Sequence, residues 1–302
     1  MKWDKALTYL IIMFLCVNIG LAMENYNRSI KAYKLSDERI QNIASVLKTD
    51  DIIIKTKLPT NFRPISPIWV LPFEITPDIR DGLVENLLGP QEDGIIITKE
   101  TSHMPYEKAA RVYTKGNKQL KFRTSYIHYQ DTSIEPRQEF LTESRARDVA
   151  ADFVEGLNIP KSRKKIKMEY KSESYGASLT YYEVYDKLPM FGSFIHLKMT
   201  GDGVFEASIH KNTVEEKADN KRAIYPIDKV LFGFRDEINI EGQVVIDSIV
   251  LGYAIPSEVE MHILREEAIP MYKINLQGLE EPIFVNAYTN TVEELPTGTF
   301  YK

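Results

Sequence analysis

Residues 192–210, GSFIHLKMTGDGVFEASIH, decide the fold because they hold two strand candidates separated by a tight turn. Gly201-Asp202-Gly203 lies between them, and glycine beside aspartate is typical of the short connections that join antiparallel strands. The two candidates, 192–200 and 203–210, have an ordinary strand length. The sequence therefore predicts an antiparallel hairpin here.

The segments around this hairpin repeat one order of elements. Apolar residues at helical spacing, from Ala146 to Leu157, predict a helix over 142–156. Further strands are expected near 164–173 and 178–187, before the hairpin. A second helix near 227–235 then precedes strands near 243–254, 259–266, 271–277 and 282–288, with a turn at Thr289-Asn290. Helix plus three or four antiparallel strands, twice, predicts an α+β fold whose helices pack on one face of the sheets.

The first part of the body contains two marked helix starts. Ser36 is expected to cap one helix and Thr76 another, with Pro77 in the first position and Gly89 at the end. Strands are expected at 51–58, 94–100, 108–115 and 119–129. The prolines at 59, 64, 67 and 72 exclude a regular central strand or helix between them on this interpretation.

An apolar run occupies residues 6–23, ALTYLIIMFLCVNIGLAM, with no charged side chain. A helix of this length spans about 27 Å, close to the roughly 30 Å of bilayer hydrocarbon, so it predicts an uncleaved single-pass anchor. A cleaved signal peptide, with Gly20 and Ala22 near the cut, is the other interpretation. Asn18 is the polar residue in the run, and its amide either bonds a second helix or meets the lipid headgroups.

The chain is thus expected to comprise five parts. They are a cytoplasmic tail (1–5), a transmembrane anchor (6–23), a polar linker (24–34), an N-terminal α+β domain (35–135) and a C-terminal α+β domain of two repeats (136–302). A short tail before a large hydrophilic body favours export of the body, although Arg28, Lys31 and Lys34 make the count of positive charges ambiguous.

Residue types needed for most chemistries are missing or scattered. The one cysteine, Cys16, lies in the apolar run, and the net charge of −5 shows no basic excess for nucleic acid. The five histidines, at 103, 128, 196, 210 and 262, form no zinc motif, although His196 and His210 are expected as neighbours on the hairpin. No nucleophile elbow or phosphate loop occurs. We therefore expect no enzyme, metal or cofactor site.

Short motifs follow one another along the chain in a particular order. They are Met1-Lys2-Trp3-Asp4-Lys5, Phe14-Leu15 with Asn18, Leu188-Pro189-Met190-Phe191-Gly192, Gly201-Asp202-Gly203-Val204, Ile249-Val250-Leu251-Gly252-Tyr253, Pro270, and Val285-Asn286-Ala287-Tyr288-Thr289. In order and spacing they resemble the YycI family, also called WalI, of two-component system regulatory proteins. Met271-Tyr272 replace a tryptophan usual in the family, and Asn290 replaces its final glycine.

The resemblance implies an extracytoplasmic body with PepSY-like α-β-β-β units, part of which would resemble the sister protein YycH. It also implies a YycH-like partner and a WalK-type sensor histidine kinase that controls cell-wall metabolism. Contact with them is expected through the membrane helix at Trp3, Phe14, Leu15 and Asn18.

Two other functions stay open from the sequence. One is a PepSY-type module that binds or inhibits an envelope protease or a cell-wall hydrolase. The other is an envelope hydrolase with an unfamiliar site, which a buried carboxylate pair in a deep pocket would favour.

Overall fold

The structure is a computed structural model of the full chain. It describes residues 3–90, 94–101, 109–123, 125–157, 166–232, 234, 242–256, 265–279 and 281–293. The predicted strand at 259–266, as well as His103 and His262, lies largely or wholly outside these residues.

Five helices occur in the described residues. They are α1 (Trp3–Ala32), α2 (Asp37–Thr49), α3 (Pro77–Leu88), α4 (Glu143–Gly156) and α5 (Ile227–Phe232). Ser36, Thr76 and Thr142 cap α2, α3 and α4, and each hydroxyl accepts a hydrogen bond from the backbone N–H three residues on. The predicted helix starts at Ser36, Thr76 and Thr142 are confirmed.

The strands carry most of the body. They are β1 (Ile52–Ile54), β2 (Ile68–Pro72), β3 (Ile96–Glu100), β4 (Ala110–Lys115), β5 (Lys118–Arg123), β6 (Tyr126–Asp131), β7 (Ile166–Glu173), β8 (Gly176–Tyr185), β9 (Leu188–Thr200), β10 (Gly203–His210), β11 (Asn212–Lys217), β12 (Val244–Ala254), β13 (Glu266–Leu276), β14 (Ile283–Asn286) and β15 (Val292–Glu293).

All these strands join in one large, mostly antiparallel sheet. Its main path runs β11-β2-β13-β12-β9-β10-β6-β5-β4-β3, with β1 on β12, β14 on β13, β15 on β14, β8 on β9 and β7 on β8. The β1–β12 and β9–β12 pairs are parallel. The α+β class is confirmed, and so is the β9–β10 hairpin, in which Gly203 pairs with Thr200.

Helices cover the sheet over two large apolar cores. Leu83 of α3, Ala146 of α4 and Leu197 of β9 belong to the first core. Leu47 of α2 and Tyr272 of β13 belong to the second, which also includes α5. Each helix pair therefore buries one apolar stripe against strands, as expected for an α+β protein.

The sheet and the cores do not follow a division of the body at 135/136. Strand β6 pairs with β10 across this position, and α2 and β1 share the second core with β12 to β14. The predicted ranges 35–135 and 136–302, as independent domains, stay a prediction. Helix α2 and strand β1, which begin the body, pack against its C-terminal third.

The predicted strand at 119–129 is wrong because it is a hairpin of two strands. Leu120 and Phe122 of β5 face the first core, and so do Ile127 and Tyr129 of β6. The core-facing side chains occupy even-numbered positions in β5 and odd-numbered positions in β6. Such a change of phase marks a turn, since side chains alternate along one unbroken strand.

The expectation for the proline-punctuated stretch is wrong at its end. Strand β2, Ile68–Pro72, is an interior strand between β11 and β13. Pro67 precedes it and Pro72 is its last residue. The intervening residues keep their N–H groups, so proline here bounds a strand and does not prevent one.

The polar segment 24–34, predicted as a linker, is helical over most of its length. Helix α1 continues without interruption to Ala32, and an isolated β-bridge joins Lys34 to Asn61. The predicted anchor and most of the predicted linker thus form one helix. The turn at Asn290 has the expected positive φ of 64°.

Candidate functional site

Helix α1 is the first candidate surface because no described residue of the body covers its apolar part. The candidate span, Lys5–Arg28, is 24 residues long, and its apolar 18-residue window has a mean hydropathy of 2.2 with no buried residue. Such a helix is long and apolar enough to cross a bilayer, and an N-terminal signal sequence has the same properties. Its 30 residues extend for about 45 Å.

The structure places the predicted contact residues of α1 on two adjacent faces. At about 100° per residue, Trp3, Phe14 and Asn18 fall within about 60° of one another, and Leu15 lies about 100° from Phe14. Asn18 Nδ2 donates to the Phe14 carbonyl of the same helix at 2.9 Å. Its second N–H and its Oδ1 remain for a neighbouring helix or a headgroup. The partner role of all four residues stays a prediction.

The end of α1 is attached directly to the body. Leu35 N donates to Thr60 O at 2.9 Å, and Phe62 N donates to Tyr33 O at 3.0 Å. The rings of Tyr33 and Phe62 meet edge to face at 6.0 Å, and Leu35 is buried. This clamp, formed by residues 33–35 and 60–62, fixes the helix to the body.

Four of the motifs of the family resemblance come together where β9 meets β12. We call this place the sheet junction, formed by 188–192, 249–253, 270–271 and 284–287. Gly252 lies so close to β9 that a Cβ atom would be 2.5 Å from Pro189 O and 2.6 Å from the Phe191 ring. Phe191 in turn packs edge to face on Phe284, and Ala287 N donates to Pro270 O at 3.0 Å. The motifs therefore have a packing role.

A row of polar side chains crosses the sheet beside this junction. The polar row consists of Glu169, Thr180, His196, Ser208, His128 and Lys121, each directly opposite the next on adjacent strands. It lies on the face away from α3 and α4, because the alternate side chains of the same strands form the first core. No pattern within a single strand reveals such a row.

The row ends on a buried ion pair. Lys273 of β13 is only 5 % exposed, and its Nζ donates to Glu169 Oε2 at 2.5 Å and to the Tyr182 hydroxyl at 2.7 Å. Burial alone would lower the pKa of Lys273, but Tyr182 and Glu169 oppose this and keep the pKa above its ordinary value. The pair joins β13 to β7 and β8, so it connects strands on both sides of the junction.

The middle of the row holds a neutral histidine. Burial, with the charge of Lys198, lowers the pKa of His196 to about 4, and its Nδ1 lies 2.9 Å from Thr180 Oγ1. Beside the row, His128, with Nε2 at 3.8 Å, and then Lys198, with Nζ at 3.0 Å, hold the pKa of Glu206 at about 2, against the opposing effect of burial. At neutral pH this face of the sheet thus combines the neutral imidazole of His196 with the charged carboxylate of Glu206.

His210 belongs to the same face but has separate partners. Its Nδ1 lies 2.7 Å from Gly192 O, which accepts only, so Nδ1 carries a proton, and Nε2 lies 3.1 Å from Ser125 Oγ. His196 and His210 are diagonal neighbours on β9 and β10, as their pairing with Ser208 and Phe194 shows. Within the described part of the chain, no three His, Cys, Asp or Glu side chains come together to hold a metal.

A shallow groove of about 380 Å³ lies between α2 and α5. Ile43, Val46 and Phe232 give it an apolar wall, and the Phe232 side chain is largely exposed. An ion pair of 2.5 Å between Arg39 and Asp228 closes one side. The apolar wall of the groove suits contact with another macromolecule.

Comparison with known proteins identifies the fold but not a family. No family profile matches the chain, and no curated protein matches it. A solved structure of an uncharacterised protein from Eubacterium rectale ATCC 33656 aligns with a TM-score of 0.52 over 82 % of this chain and 91 % of that chain, at 9 % identity. This likeness shows that the two chains share a fold.

Two further solved structures align less closely. The YpeB C-terminal domain from Bacillus megaterium gives a TM-score of 0.39 at 13 % identity, over 73 % of this chain and 96 % of that chain. YycH from Bacillus subtilis gives 0.38 at 11 % identity, over 62 % and 52 %. The resemblance of the motifs to the YycI family stays a prediction from the sequence.

Proposed function

We propose that this protein is a membrane-anchored, extracytoplasmic regulator that works by binding other proteins. Its proposed partners are a YycH-like protein and a WalK-type sensor histidine kinase, whose control of cell-wall metabolism it modulates. The observation that carries the proposal is the exposure of α1, in which no residue between Lys5 and Arg28 is buried. An apolar helix of this length requires lipid or other helices around it.

The attachment of α1 to the body supports a role in signalling. Helix α1 continues past the apolar run to Ala32 and ends in the clamp, where Tyr33 packs against Phe62. The clamped end of α1 and its membrane-spanning part belong to one continuous helix. A displacement of the body at the clamp is therefore transmitted along α1 into the membrane. We propose that contact with the kinase involves Trp3, Phe14, Leu15 and Asn18.

The proposed body is a binding module with no enzymatic activity. Helix α4 with β7 to β10, and α5 with β12 to β14, would be two copies of a PepSY-like unit. The polar row crosses the first of these units and the neighbouring strands β6 and β5. Its members bond to one another, as Thr180 does to His196, and to residues beside the row, as Glu169 does to Lys273, which is the pattern of a structural network. The N-terminus lies inside the cell in this proposal, and the body lies outside.

Chemical cross-linking in the cell's own membranes, followed by affinity purification and mass spectrometry, tests this function. The full chain is expected to retrieve a YycH-like protein and a membrane histidine kinase. The matched control keeps the body but replaces residues 6–23 by a polyleucine helix of equal length, and it is expected to lose the kinase. Retrieval of only a protease or wall hydrolase would favour an inhibitory module and overturn the regulator.

A further inference from the structure

A small recess lies where α1 joins the body, and its lining suits a phosphate group. Lys34, Thr60, Asn61 and Arg63 surround a volume of about 190 Å³. The bridge between Lys34 and Asn61 brings the two segments together, and Asn61 Oδ1 accepts from Arg63 N at 3.1 Å to form a tight local turn. Backbone contacts therefore hold the recess in place.

The lining is rich in donors for an anion. An ammonium group, a guanidinium group, a hydroxyl and an amide lie together, and Lys34 and Arg63 are exposed and form no ion pair among the described residues. Guanidinium and ammonium groups are the side chains that bind phosphate oxygens most strongly. Two cations without a carboxylate partner favour an external anion.

The position of the recess brings it near a membrane surface. If the apolar run ends at Met23, Lys34 follows after about 16 Å of chain at helical rise, and the headgroup layer covers roughly 5–7 Å of that distance. The remaining gap is close to a Debye length of about 8 Å, and helix tilt shortens it. Lys31, in the last turn of α1, lies between the headgroups and the recess.

The charges after the span also need an explanation. Arg28, Lys31 and Lys34 follow the apolar run on the side proposed to lie outside the cell, where positive charge opposes the usual orientation preference. Glu24 partly neutralises Arg28 at 2.9 Å. Anionic lipid beside the remaining cations would offset their cost.

We propose that the recess of Lys34, Thr60, Asn61 and Arg63 binds the phosphate of an anionic phospholipid headgroup in the leaflet that faces the body. This inference rests on the membrane anchor of the proposed function but not on any protein partner. Headgroup binding would hold the body at a defined tilt over the membrane, because the recess adjoins the clamp.

Hydrogen exchange of the full chain in nanodiscs tests the site. Discs of phosphatidylcholine alone are compared with discs that also contain increasing phosphatidylglycerol, and protection is measured at residues 33–36 and 60–63. We expect protection in anionic discs only. The Lys34→Gln/Arg63→Gln variant should need more phosphatidylglycerol for half-maximal protection, by about fivefold per cation and roughly thirtyfold for the pair.

A charge-matched control is the Lys48→Gln/Lys118→Gln variant, because both lysines are exposed and lie outside the recess. It should behave as the original chain. Equal protection in the two disc types, or full protection of the recess variant, would overturn the proposal. If added inorganic phosphate alone protects residues 33–36 and 60–63 in phosphatidylcholine discs, the ligand of the recess is a free anion. That result would overturn the phospholipid as the ligand.

The readout separates this proposal from the proposed function. A chain that fails to enter discs would contradict the anchor itself. A chain that enters discs and shows lipid-dependent protection would support the headgroup site even where no kinase is retrieved from membranes.

Discussion

Helix α1 and the sheet junction are both apolar, but they differ in what covers them. Phe14 of α1 is 67 % exposed, whereas Phe191 of the junction is 7 % exposed. Other side chains of the body cover the junction, so packing explains the motifs that form it. Nothing in the described residues covers α1, and in the proposed function lipid or another protein covers it. Similar apolar side chains thus stabilise the fold at the sheet junction, whereas in α1 they bear on the proposed location and partners of the protein.

The largest expected effect comes from deleting residues 1–23. The shortened body should move entirely from the membrane to the soluble fraction. Its thermal midpoint should stay within a few degrees of that of the full chain in detergent, since the apolar part of α1 has no buried residue. Fractionation and circular dichroism check this. A body that stays in the membrane, or that unfolds, would remove the distinction between the two regions.

The next effect concerns the ion pair that connects the two sides of the junction. Lys273→Met leaves Glu169 without its cation, and we expect a loss of about 3 kcal/mol in the free energy of unfolding. The Lys273→Met/Glu169→Gln variant should recover most of that loss, because no uncompensated charge remains. Denaturant unfolding measures both. A single variant as stable as the original chain would show that the pair is not buried in solution.

The junction itself is tested by Gly252→Ala. The added methyl would meet the Pro189 carbonyl and the Phe191 ring, and we expect a cost of about 2–3 kcal/mol. Gly82→Ala in α3 is the matched control: a Cβ meets nothing within 4 Å there, and alanine should stabilise the helix by about 0.5–1 kcal/mol. Similar effects at the two glycines would contradict the close approach of β9 and β12.

The polar row beside the junction predicts a pH dependence. His196 has a pKa of about 4 in the folded protein and about 6.5 when unfolded, so the unfolded state binds the additional proton. Stability should therefore fall as the pH decreases from 6.5 to 4, by up to about 3 kcal/mol.

Comparison with His196→Gln isolates this residue, because all other titratable groups are the same in both chains. The variant should lose most of the slope between pH 6.5 and 4. Glu206 adds a further loss only below about pH 4.5, as protonation approaches its pKa of about 2. Identical slopes in the two chains would show that His196 is not desolvated.

Local signals in the sequence predicted the elements that local chemistry determines. The caps at Ser36 and Thr76, the helix start at Thr142 and the turn after Thr200 need only neighbours a few residues away. Strand β2 was missed because its two partners lie far along the chain, at 212–217 and 266–268. The flanking prolines predicted no regular strand here, but pairing with these distant strands forms one.

The candidate site divides in the same way. The anchor was evident from one apolar run, but its continuation to Ala32 was not, because α1 extends through polar residues. Lys273 and Glu169 are 104 residues apart, and neither segment alone indicates an ion pair. The polar row requires the register of six strands, and register depends on tertiary packing.

Photo-cross-linking from α1 in native membranes tests the central claim most directly. A photoreactive residue at Phe14 is compared with one at Ile12, which lies about 160° away around the helix. We predict cross-links to a YycH-like protein or a histidine kinase from position 14 and only lipid adducts from position 12. Asn18→Leu should lower the yield by about threefold. Equal yields from both positions, or adducts to a protease alone, would contradict a regulator that binds through this face of α1.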